Sequence, residues 1–94
     1  MITVHKFTVD PMDSNPVKVA MPRHAKLLTA REQRDMPCVW AQVNTDNTMV
    51  QRVFWLVGTG HPMDHLPITL KYVGSVQLMG GSIVLHVYDL GEES

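Results

Sequence analysis

The chain predicts an all-β fold, a small antiparallel β-sandwich or barrel of about six to seven strands with room for one short helix. Three observations predict it. Short runs rich in β-branched and aromatic residues recur along the sequence, and clusters of Gly, Pro, Asn and Asp separate them. No helical segment is long enough to cross over between parallel strands, so antiparallel order is expected. With 94 residues the chain is a single small β domain over 1–94, and 45% apolar residues supply a core.

Taken in order, Ile2, Val4, Phe7 and Val9 open an extended pattern, interrupted by His5-Lys6. Asp10 to Pro16 is polar and closed by prolines, hence a loop. Val17-Lys18-Val19-Ala20 alternates and stops at Met21-Pro22, as a short edge strand does. Residues 25–33 hold good helix formers but no preferred N-cap, so strand and helix are both open there. The short Arg34–Pro37 turn that follows favours a strand entering a hairpin.

Cys38–Val43 and Met49–Val57 read as strands joined by the Asn44–Thr48 turn cluster. A hairpin centred on Asp46-Asn47 sets Val43 opposite Val50, Ala41 opposite Arg52, Trp40 opposite Val53 and Val39 opposite Phe54. Both faces of that hairpin are largely apolar. The expectation is burial on both sides, or one face as an interface in a homo-oligomer. Lys71–Leu78 and Ile83–Tyr88 form a second hairpin turning at Gly80-Gly81. Its register pairs Leu78 with Ile83, Val76 with Leu85 and Gly74 with Val87 on an inward face. Gln77, Ser75, Val84, His86 and Tyr88 share the other face. Asp89–Ser94 is expected to be a frayed acidic tail.

The net charge is −1, and no concentrated positive field signals nucleic-acid binding. The mildly basic Arg23, His24, Lys26, Arg31 and Arg34 read as a solvated strand edge and turn. Cys38 stands alone, so no internal disulfide can form, and it reads as a small buried residue in a reducing compartment. The N-terminus alternates where a signal peptide would run apolar, and no apolar run spans a bilayer. A cytoplasmic protein is expected.

Gly58-Thr59-Gly60-His61-Pro62-Met63-Asp64-His65-Leu66-Pro67 is the segment that stands out. Its glycines can free backbone N–H groups into a concave nest for an anion, with Thr59 or His61 adding a side-chain donor. It lacks the Lys of a phosphate-binding P-loop and the βαβ setting of a dinucleotide fingerprint. The competing reading is a tight turn whose glycines take φ > 0. The expected ligand-binding set is Arg52, Gly58, Thr59, Gly60 and His61. His61 and His65 have metal-like spacing, but Pro62 and Pro67 leave one short turn, and a third ligand must come from His86 or Cys38. No metal and no cofactor are expected. Ser75 lies across from His86 with Asp89 near in sequence, yet no strained nucleophile position or oxyanion hole is signalled, and no catalytic residue is assigned. The aromatic residues read as core.

Lys26-Leu27-Leu28, Val39–Val43, Arg52–Pro62, Tyr72–Gln77 and Leu85–Tyr88 together resemble a family of short proteins from bacteriophages and their bacterial hosts, a domain of unknown function. The resemblance spans nearly the whole chain, and Val57-Gly58-Thr59-Gly60-His61-Pro62 is its most specific part. It implies a phage or prophage accessory protein and brings no catalytic residues with it. The sequence thus points to a non-enzymatic binding protein that captures a small anionic ligand, such as a nucleotide, or a host protein. The alternatives are an inhibitor that masks a host defence complex, and a small metal-dependent hydrolase using His61, His65 and His86.

Overall fold

In the computed structural model, which describes residues 1–93, seven strands form where short apolar runs lie between turn residues. They are β1 (Ile2–Thr8), β2 (Val17–Pro22), β3 (Lys26–Gln33), β4 (Met36–Asn44), β5 (Met49–Gly58), β6 (Lys71–Leu78) and β7 (Ile83–Glu92). A three-stranded sheet of order β1-β4-β3 packs on a four-stranded sheet of order β2-β5-β7-β6, and every pairing is antiparallel. The sandwich is therefore as expected. Val39, Val43, Phe54, Val76, Val87 and Met21 are fully buried between the sheets, with Val9 beside them.

Within 25–33, Lys26–Gln33 resolve as strand. β3 and β4 form a hairpin over Arg34-Asp35, both at positive φ, with a register irregularity between Leu27 and Thr29. The β6–β7 hairpin has the predicted register, and Gly80 and Gly81 take φ of 68° and 93° in its turn. Its inward face is only partly sealed. Val87 is fully buried and Leu85 half-buried, but Ile83 is 41% exposed at the tip. There it borders an open apolar groove with Met12, Met36 and Met79.

Two expectations are corrected. β4 and β5 do not pair; they lie in different sheets, and Asn44–Thr48 is a corner between the sheets. Turn residues serve an arch as well as a hairpin. What decides is distant: Thr45 N–H bonds Met1 O, and Thr48 O accepts from Arg23 N–H, tying the corner to β1 and to the β2–β3 turn. The second apolar face of each strand then has its own cover or none. Trp55 of β5 meets the His65 ring edge-on. Trp40 of β4 stays half-buried on the outside of its sheet, next to a buried Cys38. The second correction concerns Asp89–Glu92, which are not frayed: they belong to β7, and Asp89 is buried. Ser94 of the expected tail lies outside the described residues.

β3 and β6, edge strands of different sheets, meet along one side of the sandwich. Gly74 permits this, because a Cβ there would stand 2.9 Å from the Ala30 carbonyl oxygen.

Candidate functional site

β5 and β7 run side by side through the four-stranded sheet, and polar side chains gather at both ends of the pair. At one end Arg52 grips Asp89 with two parallel hydrogen bonds, Nε to Oδ1 at 2.9 Å and Nη2 to Oδ2 at 2.7 Å. Its Nη1 donates to Ala25 O at 3.0 Å, and Asp89 Oδ1 also accepts from Gly91 N–H. The side chains are only 13% and 10% exposed. Hydrogen bonding to Asp89 is the main cause that raises the Arg52 pKa above its usual value; burial opposes it, and the charges of Asp89 and Glu92 add to the rise.

This pair floors a groove of about 330 Å³ between the start of β3 and the start of β6. Lys26 and Lys71 stand on its rim, Tyr72 lines it, and Ala25, Leu27 and Val73 add apolar surface. Three cations and one carboxylate line the groove, with Glu92 a second negative charge near Arg52, and among the described residues neither lysine has an ion-pair partner. The Arg52 fork is not saturated by its three bonds.

At the other end the chain leaves β5 through Gly58-Thr59-Gly60-His61. Gly58 belongs to the strand and pairs with Leu85; only Gly60 has positive φ, at 86°. His61 N–H bonds back to Gly58 O at 3.0 Å, closing a reverse turn. The His61 ring lies on Gly58, where a Cβ would stand 2.9 Å from it. That amide is spent on the turn, and a single positive φ does not build the expected nest. Arg52 is not brought to this turn: it sits six residues back on the same strand, about 20 Å away by strand rise.

A row of hydrogen-bonded side chains runs from that turn towards the groove. Thr59 Oγ1 lies 2.7 Å from His86 Nε2, His86 Nδ1 lies 2.7 Å from Ser75 Oγ, and Ser75 Oγ lies 2.6 Å from the Tyr72 hydroxyl. Tyr72 packs edge-on against Tyr88. Both His86 nitrogens are taken by hydroxyls, with no carboxylate behind the ring to orient it as a triad requires; Asp89, near in sequence, is committed to Arg52. His61 and His65 line one cavity with Trp55, whereas His86 is bonded between Thr59 and Ser75, and among the described residues no three His, Cys, Asp or Glu side chains converge as metal ligands do.

Of the residues singled out from sequence, Thr59, Gly58, Gly60 and His61 are together, and Arg52 is apart. Tyr72, which lines the groove and bonds Ser75, joins the two ends. The Ser75–His86 contact follows from the hairpin register. Lys71 and Asp89 face each other in the same hairpin after a register shift between Tyr72 and Gly74 that the turn does not signal, and Lys26 joins them only because the β2–β3 turn meets β5 and β6 in three dimensions.

Comparison with known proteins places the chain in a family described as a domain of unknown function, DUF7352, whose model matches residues 1–94; the chain belongs to this family. No curated protein and no solved structure matches it. No helix among the described residues is long and apolar enough to cross a membrane.

Proposed function

For this member of a family of unknown function, we propose a non-enzymatic binding protein that captures a small anionic ligand, of nucleotide size, in the Arg52 groove. One observation carries the reading: Lys26, Lys71 and Arg52 surround a space of about 330 Å³ lined by a single carboxylate, with Tyr72 alongside. The volume falls within the usual range for ligand clefts, about 300–1,000 Å³. Two exposed lysines and the free N–H groups of a buried guanidinium suit phosphate oxygens, and a tyrosine suits a planar base. The Thr59–His86–Ser75–Tyr72 row extends the donors along the sheet.

Calorimetric titration with nucleoside monophosphates, triphosphates and inorganic phosphate tests it. The double change Lys26→Ala, Lys71→Ala is expected to weaken binding about tenfold or more with little change in melting temperature, and added salt is expected to weaken the wild type. If the double variant binds as the wild type does and His61→Ala does not, the ligand belongs to the Gly58–His61 turn. If no anion binds, the reading fails.

A protein partner is the second reading, favoured by the apolar groove at the opposite tip. Met12, Met79 and Ile83 are exposed there beside Asp10 and Asp35. The resemblance to short phage proteins supports an accessory role during infection, in host cytoplasm, and the exposed Ile2, Val4 and Leu28 support a homo-oligomer.

A further inference from the structure

A sandwich of two sheets has four strand edges, and an open edge is a template for another strand. Three of the four are closed here. β3 and β6 cover each other, with Ala30 O against the bare Cα of Gly74. β2 is blocked chemically. Arg23 N–H donates to Thr48 O in continuation of the β2–β5 register, so the odd-numbered residues of β2 face β5. The free edge of β2 then offers the N–H groups of Lys18 and Ala20 only, because Pro16 and Pro22, next in the same alternation, have none. Lys18, paired with Glu93 at 2.6 Å, adds a charge at this edge.

β1 has no such prolines, and its one lysine, Lys6, turns its ammonium across the sheet to Gln33 on β3. Val9 N–H donates to Pro37 O at 2.9 Å and Thr45 N–H to Met1 O at 2.8 Å, which sets the alternation at both ends. Odd-numbered residues of β1 face β4. The N–H and C=O groups of Ile2, Val4, Lys6 and Thr8 therefore point away from the molecule, and none of these positions is proline. Their side chains stand on the outer face, where Ile2 is 66% and Val4 50% exposed, and Lys6 is in register with the half-buried Trp40.

We propose that β1 is a dimer interface, pairing antiparallel with β1 of a second copy about a two-fold axis and joining the two β1-β4-β3 sheets into one. The strand is complementary to itself. With His5 at the axis, Ile2 falls opposite Thr8 of the partner subunit and Val4 opposite Lys6 of the partner subunit. All the outward-pointing backbone groups then meet in hydrogen-bonded pairs, and no lysine faces a lysine. The Lys6 stem lies over an otherwise exposed valine. This rests on the self-association proposed above and is independent of the ligand groove.

Sedimentation velocity at micromolar concentration should show a dimer for the full chain. Val4→Pro removes one outward N–H on a strand edge that tolerates proline, and should weaken the dimer about tenfold or more with an unchanged circular dichroism spectrum. Ala20→Pro on the β2 edge should leave it intact. Amide exchange of the wild type gives a second measure that needs no variant. Ile2, Val4, Lys6 and Thr8 should gain protection on concentration, while Thr3, His5 and Phe7 are protected throughout. A monomer at high micromolar concentration overturns both self-association and the interface. A dimer whose even-numbered β1 amides exchange freely, or one lost in Ala20→Pro and kept in Val4→Pro, keeps self-association and overturns this interface.

Discussion

The two ends of the β5–β7 pair hold similar side-chain chemistry put to different use. At the Arg52 end the charges are buried, bidentate and tied to the backbone at Ala25 O. At the Gly58 end the row Thr59–His86–Ser75–Tyr72 is bonded just as closely, but its members are exposed or half-exposed. A buried ion pair cannot lose one partner without stranding the other in a poor solvent. An exposed hydroxyl or imidazole that loses its neighbour takes water in exchange. Mutation of the ion pair at the first end should thus cost much stability, and mutation of the row at the second should cost little.

The largest effect expected is for Arg52→Ala, a loss of about 3–5 kcal/mol in denaturant melts, the range for removing one partner of a buried pair. Asp89→Ala should match it, and the double variant should lose far less than the sum. A cost below about 1 kcal/mol for Arg52→Ala would place the pair among ordinary surface ion pairs and erase the contrast between the ends.

Gly60→Ala comes next, at about 1–2 kcal/mol, because its φ of 86° lies in the region that L-residues resist. Nothing crowds the added methyl, so the cost is backbone conformation alone. A neutral result would mean that the turn opens freely.

His86→Ala sharpens the other side. It removes two hydrogen bonds on an open face and should shift stability by less than about 1.5 kcal/mol. If the row extends the ligand surface, anion titration should respond more strongly than the melting curve. A melt as damaging as that of Arg52→Ala would make the row a structural strut.

Much of the fold was legible before any coordinates. Alternation and β-branched content marked six strands, residues 25–33 stayed open between strand and helix because they hold good helix formers, and the β6–β7 register followed from the tight turn at Gly80-Gly81. Ser75 and His86 came with that register. The β4–β5 relation was not legible, since Asn44–Thr48 carries the same turn residues whether the chain doubles back in one sheet or crosses to the other. Asp89 looked like the start of an acidic tail because its partner, Arg52, lies 37 residues away.

By itself the sequence determined local matters: where strands run, where they turn, which hairpin register a glycine pair imposes, and that Cys38 forms no internal disulfide. Those depend on side-chain alternation and on φ preferences that act within a few residues. The tertiary structure alone decided which sheet each strand joins, how Lys26 and Lys71 come to rim the groove over Arg52, and why β1 keeps an open edge while β2 does not. Those depend on which distant strands satisfy each other's backbone groups and bury each other's apolar faces, a competition settled over the whole chain at once.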